Sequence, residues 1–148
     1  GDILVLATPV SLSSNKYRLL YTAYGEHAHS LPCPGLMDFV ERGDIDSDEL
    51  KFYLLDKLSP FLKDGNIPAA VVLGCTHYVF LKKTISSLLP KETLVLDGNE
   101  GTVRQLRRRL EGANLLSDAP IPAGRVQICT SGSDAALQLM HQLLHLPC

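Results

Sequence analysis

Ala69-Ala70-Val71-Val72-Leu73-Gly74-Cys75-Thr76-His77-Tyr78 is the stretch on which the fold turns. The apolar, β-branched run up to Leu73 is short and ends on a glycine, which reads as a buried strand and a tight turn. Val79 to Leu89 then carries its apolar residues at helical spacing. The stretch is therefore a strand-to-helix joint, and it places a cysteine, a threonine and a histidine at the carboxyl end of a strand. In open parallel sheets, ligands gather at that end.

The flanking sequence repeats the alternation. Ile3 to Ala7 reads as a buried strand ended by Thr8-Pro9, and residues 11–24 as a helix opening on serine caps. Leu31-Pro32-Cys33-Pro34-Gly35 reads as a proline-rich loop, and Leu36 to Glu41 as one or two helical turns. The next helix is better marked. Asp46-Ser47 caps it, Asp48 and Glu49 face the positive end of its dipole, and Leu50, Tyr53, Leu54, Leu58, Phe61 and Leu62 share one face. Asp64-Gly65-Asn66 closes it. Thr93 to Asp97 predicts a strand, followed by a helix bearing Val103, Leu106 and Leu110. Pro120, Pro122 and Gly124 mark a loop, and Arg125 to Cys129 a fourth strand. Thr130-Ser131-Gly132-Ser133-Asp134 reads as the start of a last helix with Ala136, Met140, Leu143 and Leu144 on its apolar face. Strand and helix alternating in this way predict an α/β fold, a parallel sheet flanked by helices.

At 148 residues the chain has the size of one ordinary domain. It is 45% hydrophobic and 20% charged, near globular averages, which argues against disorder. A net charge of −2 gives no ground for a nucleic-acid partner, and no apolar run is long enough to cross a membrane. The first residue is Gly1 and not methionine, which fits a processed, tagged or truncated product. Cys33, Cys75, Cys129 and Cys148 form no C-x-x-C pair, so zinc and thioredoxin readings are poor. Reduced thiols and a cytoplasmic location are expected. His27, His29, His141 and His145 show no metal-site pattern, and no metal is expected.

A thiolate is the reactive form of cysteine, and unpaired N–H groups at a helix start or a protonated histidine favour it. His77 stands two positions after Cys75. Thr76 offers a hydroxyl and an N–H, both suited to a carboxylate. Two chemistries fit: Cys75 as a nucleophile with His77 as its base, or Cys75 as an acid or base on a carbon acid. A purely structural role, a buried cysteine beside a backbone-bonded histidine, competes with both.

Leu73 to Tyr78 resembles the second catalytic-cysteine motif of bacterial glutamate racemases. Leu6 to Pro9 with Ser14 and Tyr17 resembles the opening of that family's second domain. Cys33-Pro34, Leu36 to Glu41 and Gly43 resemble its cysteine–proline loop and glutamate-bearing turn. Leu96-Asp97 and Cys129 to Gly132 are similar to later segments, so the resemblance runs in order over nearly the whole chain. Val79 stands where the family usually has proline, Val10-Ser11 where it has glycine–threonine, and Gly98 where serine is common. The family's first catalytic cysteine, in a Cys-Asn-Thr motif, has no counterpart, nor do its Asp-Ser-Gly and Pro-Tyr-Gly segments. The chain thus resembles the C-terminal portion of the two-domain parent.

The resemblance implies an Asp/Glu racemase-like fold, incomplete relative to the parent. It implies inversion of the α-carbon of glutamate without a cofactor, one thiol per face, supplying D-glutamate for peptidoglycan. Cys75 would be one of the pair, His77 would assist it, Glu41 would tune the proton network, and Thr76 would bind substrate. Thr76 has the competing role of capping the helix that follows. Cys75 by itself could at best exchange the proton, and neither Cys33 nor Cys129 sits in the second motif, so the isolated chain is expected to be inactive. A racemase of another small acidic amino acid, a Cys–His thiol hydrolase and a non-catalytic small-anion-binding module are the alternatives. Arg104, Arg107, Arg108 and Arg109 read as a solvated helix face, and Asp97 as a turn residue or part of a domain junction. Residues 1–92 would form most of the second racemase domain, and 93–148 would complete the first domain of the parent. The missing strands would leave an apolar surface or open sheet edge there that favours self-association.

Overall fold

The computed structural model describes residues 1–63, 67–116 and 127–146. Within them lie four strands, β1 (Ile3–Ala7), β2 (Ala28–Pro32), β3 (Ala70–Leu73) and β4 (Leu94–Leu96). Seven α-helices accompany them: α1 (Pro9–Leu12), α2 (Asn15–Tyr24), α3 (Leu36–Glu41), α4 (Asp48–Leu58), α5 (Lys82–Ser87), α6 (Asn99–Gly112) and α7 (Asp134–Leu144). The strands form one parallel sheet in the order β2-β1-β3-β4. The expected α/β architecture is thus observed.

Two compact units divide the chain. The first runs from Gly1 to Asp97 and takes in Leu146; the second runs from Gly98 to His145. The first contains the whole sheet. Its core is built from Leu4 and Leu6 of β1, Val71 and Leu73 of β3, Leu36 and Val40 of α3, Leu50, Leu54 and Leu58 of α4, and Ile85 of α5, all buried. Burying each such side chain contributes about 1.5–3 kcal/mol. The buried α4 residues stand on the face that the sequence predicts, and Ser47 caps the helix by accepting the Leu50 N–H at 3.1 Å.

The order of the sheet matters for function. From β1 the chain first adds β2 on one side and then β3 on the other, so the winding reverses between β1 and β3. That reversal is where doubly wound sheets open a crevice at their carboxyl ends. Gly74 closes the joint tightly. Its N–H donates to the Leu6 carbonyl at 2.7 Å, and a Cβ there would stand 3.0 Å from that carbonyl oxygen and 3.1 Å from the Ala7 Cβ.

Four expectations need correction. β2 occupies part of what reads as loop, because only Leu31 among its residues is buried and an edge strand tolerates Pro32. The single helix over 11–24 is two helices: Thr8 caps α1, and Ser14 caps α2 by accepting the Tyr17 N–H at 3.2 Å. The residues after the cysteine motif enter a 3-10 turn over Tyr78–Leu81 before α5 begins. Three residues per turn stack Tyr78 over Leu81, and both are fully buried. Residues 127–129 pair with no strand among the described residues. Residues 125–126, the 120–124 loop and the 64–66 turn lie outside the described residues.

The second unit holds α6 and α7. No residue of either helix is buried. Ser133 caps α7 by accepting the Ala136 N–H at 3.3 Å. Arg104 pairs with Glu100 at 3.0 Å and Arg107 with Glu111 at 2.9 Å, each one turn apart, and Arg108 and Arg109 are exposed. The arginines therefore form the solvated face that their spacing suggests.

Candidate active site

β3 delivers Cys75 to the carboxyl end of the sheet. Leu6 pairs with Leu73, so Thr8 and Cys75 each stand two residues beyond the last paired couple, at the point where the winding reverses. Cys75 is half-buried. Its Sγ lies 3.8 Å from His77 Nδ1, a contact within reach of a thiol hydrogen bond. His77 Nε2 lies 2.6 Å from Glu41 Oε1. An ionised carboxylate only accepts, so Nε2 is the donor in that bond, and in the neutral form of the ring Nδ1 is then the acceptor toward the thiol. The three groups form a relay: thiol, imidazole, carboxylate. In it His77 can take the Cys75 proton while Glu41 stabilises the imidazolium that results.

Glu41 reaches this relay from a distant part of the sequence. It is the last residue of α3, whose start is set by Gly35 at a left-handed φ of +79°. The turn before α3 is held to the motif. The Tyr78 hydroxyl donates to the Cys33 carbonyl at 3.0 Å, and the Cys33 N–H donates to the Ala7 carbonyl at 3.0 Å. The Cys33–Gly35 turn, the end of β1 and the cysteine motif are thereby joined. The Glu41 side chain is 60% exposed and that of His77 30%, so their hydrogen bond adds little stability by itself. Its value is geometric.

Cys33 differs from Cys75 in every respect that matters to reactivity. It is buried, its Sγ–H donates to the Leu31 carbonyl at 3.4 Å, and burial pushes the thiol up to about 12. A thiol so shifted is not a base near neutral pH. Cys129 is exposed and stands in the second unit.

Thr76 is exposed and takes no hydrogen-bond partner among the described residues. The capping role is not realised: the 3-10 turn starts at Tyr78, His77 occupies its N-cap, and no side chain caps it. The structure thus brings Cys75, His77 and Glu41 together, with Thr76 beside them in the chain. Two further hydroxyls escape a reading by motif. Thr8 donates to Ser11 Oγ at 2.9 Å, just past the end of β1. The register of β1 against β3 sets Thr8 level with Cys75 at that end of the sheet. Among the described residues no cluster of three metal-ligating side chains occurs.

No family model matches the chain. Curated relatives do. A glutamate racemase of Clostridium perfringens is 39% identical over 99% of this chain, and one of Clostridium kluyveri is 41% identical over 97%. In each case the match takes in 56% of the relative, so the chain spans about half the length of the curated relatives it matches. Among solved structures, the glutamate racemase of Francisella tularensis in complex with D-glutamate has a TM-score of 0.68 at 26% identity. That match covers 82% of this chain and 45% of the other. The Escherichia coli glutamate racemase has a TM-score of 0.73 at 23% identity, covering 97% of this chain and 55% of that one, a likeness of fold.

Proposed function

We propose that the chain, similar over nearly its whole length to curated glutamate racemases and spanning about half of theirs, is the C-terminal part of a racemase that interconverts L- and D-glutamate. The observation that carries this reading is the Cys75–His77–Glu41 relay at the carboxyl end of a central strand. The reaction uses no cofactor. The Cys75 thiolate takes the α-proton of one enantiomer, becoming a thiol as the α-carbon gains the electron pair. A second thiol, on the opposite face and outside this chain, returns a proton. In the reverse direction Cys75 is the donor. His77 holds the Cys75 proton when the thiolate is required, with Glu41 as counter-ion to the imidazolium. Thr76, exposed and without an internal partner, binds a substrate carboxylate through its hydroxyl or N–H.

One thiol reaches one face of the carbon, so the chain by itself does not invert glutamate. In this reading the enzyme supplies D-glutamate for peptidoglycan and works in the cytoplasm, as the family resemblance implies. Residues 1–92 form most of one domain of the parent, and 93–148 complete the other. Leu94 and Leu96 on the edge strand β4, 62% and 48% exposed, support an apolar surface through which the chain self-associates.

The test is solvent deuterium incorporation at Cα of each enantiomer by the longer parent protein. Cys75→Ser is expected to abolish racemisation, and full retention overturns the assignment. Exchange with aspartate and not glutamate identifies a racemase of another small acid. Glutamate binding by the parent with no exchange identifies an anion-binding module. Light scattering of the chain over a concentration series addresses self-association, and a strictly monomeric particle at every concentration counts against it.

A further inference from the structure

We propose that Tyr53 is a positioning residue that sets Glu41 against His77, an inference that rests on the proton-transfer reading of Cys75. Tyr53 lies in α4, far in sequence from the cysteine motif. Its hydroxyl donates to the Pro34 carbonyl at 2.8 Å. The Tyr78 hydroxyl donates to the preceding carbonyl, that of Cys33, at 3.0 Å. Two consecutive carbonyls of the turn that opens α3 are thus gripped by two phenols. One comes from α4, and the other is the residue next to His77.

α3 is only six residues long, and Glu41 is its last residue. Its direction follows from how the turn before it is held. Tyr53 also touches the middle of α3, with its ring centroid 5.8 Å from that of Phe39. The Arg42 guanidinium lies 4.0 Å over the Phe39 ring and pairs with Glu49 of α4 at 3.3 Å. An exposed ion pair contributes only about 0–1 kcal/mol, too little to drag a short helix into place. The 2.6 Å contact between Glu41 and His77 is therefore a consequence of where α4 puts α3. Burial pushes the Tyr53 phenol up, so it stays a donor at neutral pH. A displacement of about 1 Å in such a relay is enough to lower its efficiency many-fold.

The experiment reads Cys75 in the 148-residue chain by iodoacetamide alkylation across a pH series. Mass spectrometry of the Cys75 peptide separates it from exposed Cys129. Glu41→Gln should move the alkylation midpoint upward, because the imidazolium loses its counter-ion and the thiolate loses its imidazolium. Tyr53→Phe keeps the ring and removes the donor. It should move the midpoint the same way and slow alkylation near neutral pH about two- to fivefold. Phe39→Leu removes the ring contact with Tyr53 but leaves its hydroxyl donor, and should act in the same direction. In a Glu41→Gln background both effects should vanish, since nothing is left to position. Equal slowing in the two backgrounds marks a merely structural role and overturns the inference, as does a silent Tyr53→Phe beside a responsive Glu41→Gln. A silent Glu41→Gln overturns the relay reading and this inference with it.

Discussion

The two units of the chain carry the same kinds of helix and differ in what stands behind them. In the first, α4 buries Leu50, Leu54 and Leu58 in the core of the unit that holds the four-stranded sheet. In the second, α6 and α7 have no fully buried residue, although Val103, Leu106, Met140 and Leu144 form apolar stripes as regular as that of α4. α7 even has a serine cap of the kind that starts α4. Local signals thus specify a helix in either unit, whereas burial requires a partner surface. Most helical stability in proteins comes from packing and not from propensity. Among the described residues α4 therefore draws more stability from packing than α6 or α7 does.

The comparison breaks most readily at a core leucine. Leu54→Ala, at a fully buried site, should cost about 2–5 kcal/mol in urea unfolding. Leu106→Ala, at a site 57% exposed, should stay within about 0.5 kcal/mol. Equal losses would mean that α6 is packed as tightly as α4. A smaller effect is expected where the first unit brings its strands together. Gly74→Ala puts a methyl 3.0 Å from the Leu6 carbonyl oxygen and 3.1 Å from the Ala7 Cβ. Both neighbours belong to a buried ladder that yields poorly, so overpacking should cost about 1–3 kcal/mol. Gly101→Ala in α6 meets nothing within 4 Å and should stabilise its helix by about 1 kcal/mol, as alanine does for glycine in a helix interior. Urea midpoints of the two variants should therefore move in opposite directions.

Legibility in the sequence follows the same division. The 69–78 stretch, β1 and α4 with its Ser47 cap are readable because pattern and packing agree there. β2 is not, because an edge strand with one buried residue is specified by the ladder that β1 offers rather than by its own composition. The 3-10 turn after the motif is set by the joint burial of Tyr78 and Leu81, which helical spacing does not distinguish from an α-turn. At the site, Cys75 and His77 are adjacent enough to be paired by inspection. Glu41 enters only through resemblance, being 36 residues away from His77. The place of Thr8 beside Cys75 and the bond from Tyr53 to Pro34 carry no local mark. The first depends on strand register, and both are products of tertiary structure.

A gentler test separates helices anchored in a polar network from helices that are merely capped. At the start of α4, Asp44 accepts from the Ser47 N–H at 3.1 Å and from its hydroxyl at 2.7 Å, while Arg42 stands 3.6 Å away. Desolvation works to raise the Asp44 carboxyl, but the Ser47 bonds and the Arg42 charge outweigh it and hold the group below its ordinary value of 3.8. A carboxyl lowered by folding stabilises the native state above its unfolded pKa, and this stabilisation is lost as the pH falls through the folded value. Asp44→Asn removes the titration and weakens the bonds, so it should cost about 1 kcal/mol at neutral pH. The gap between wild type and variant should close below the ordinary carboxylate range. Urea midpoints on both sides of that range measure it. A gap that persists undiminished in acid would mean that Asp44 acts through shape and not charge, and α4 would then start no differently from α7.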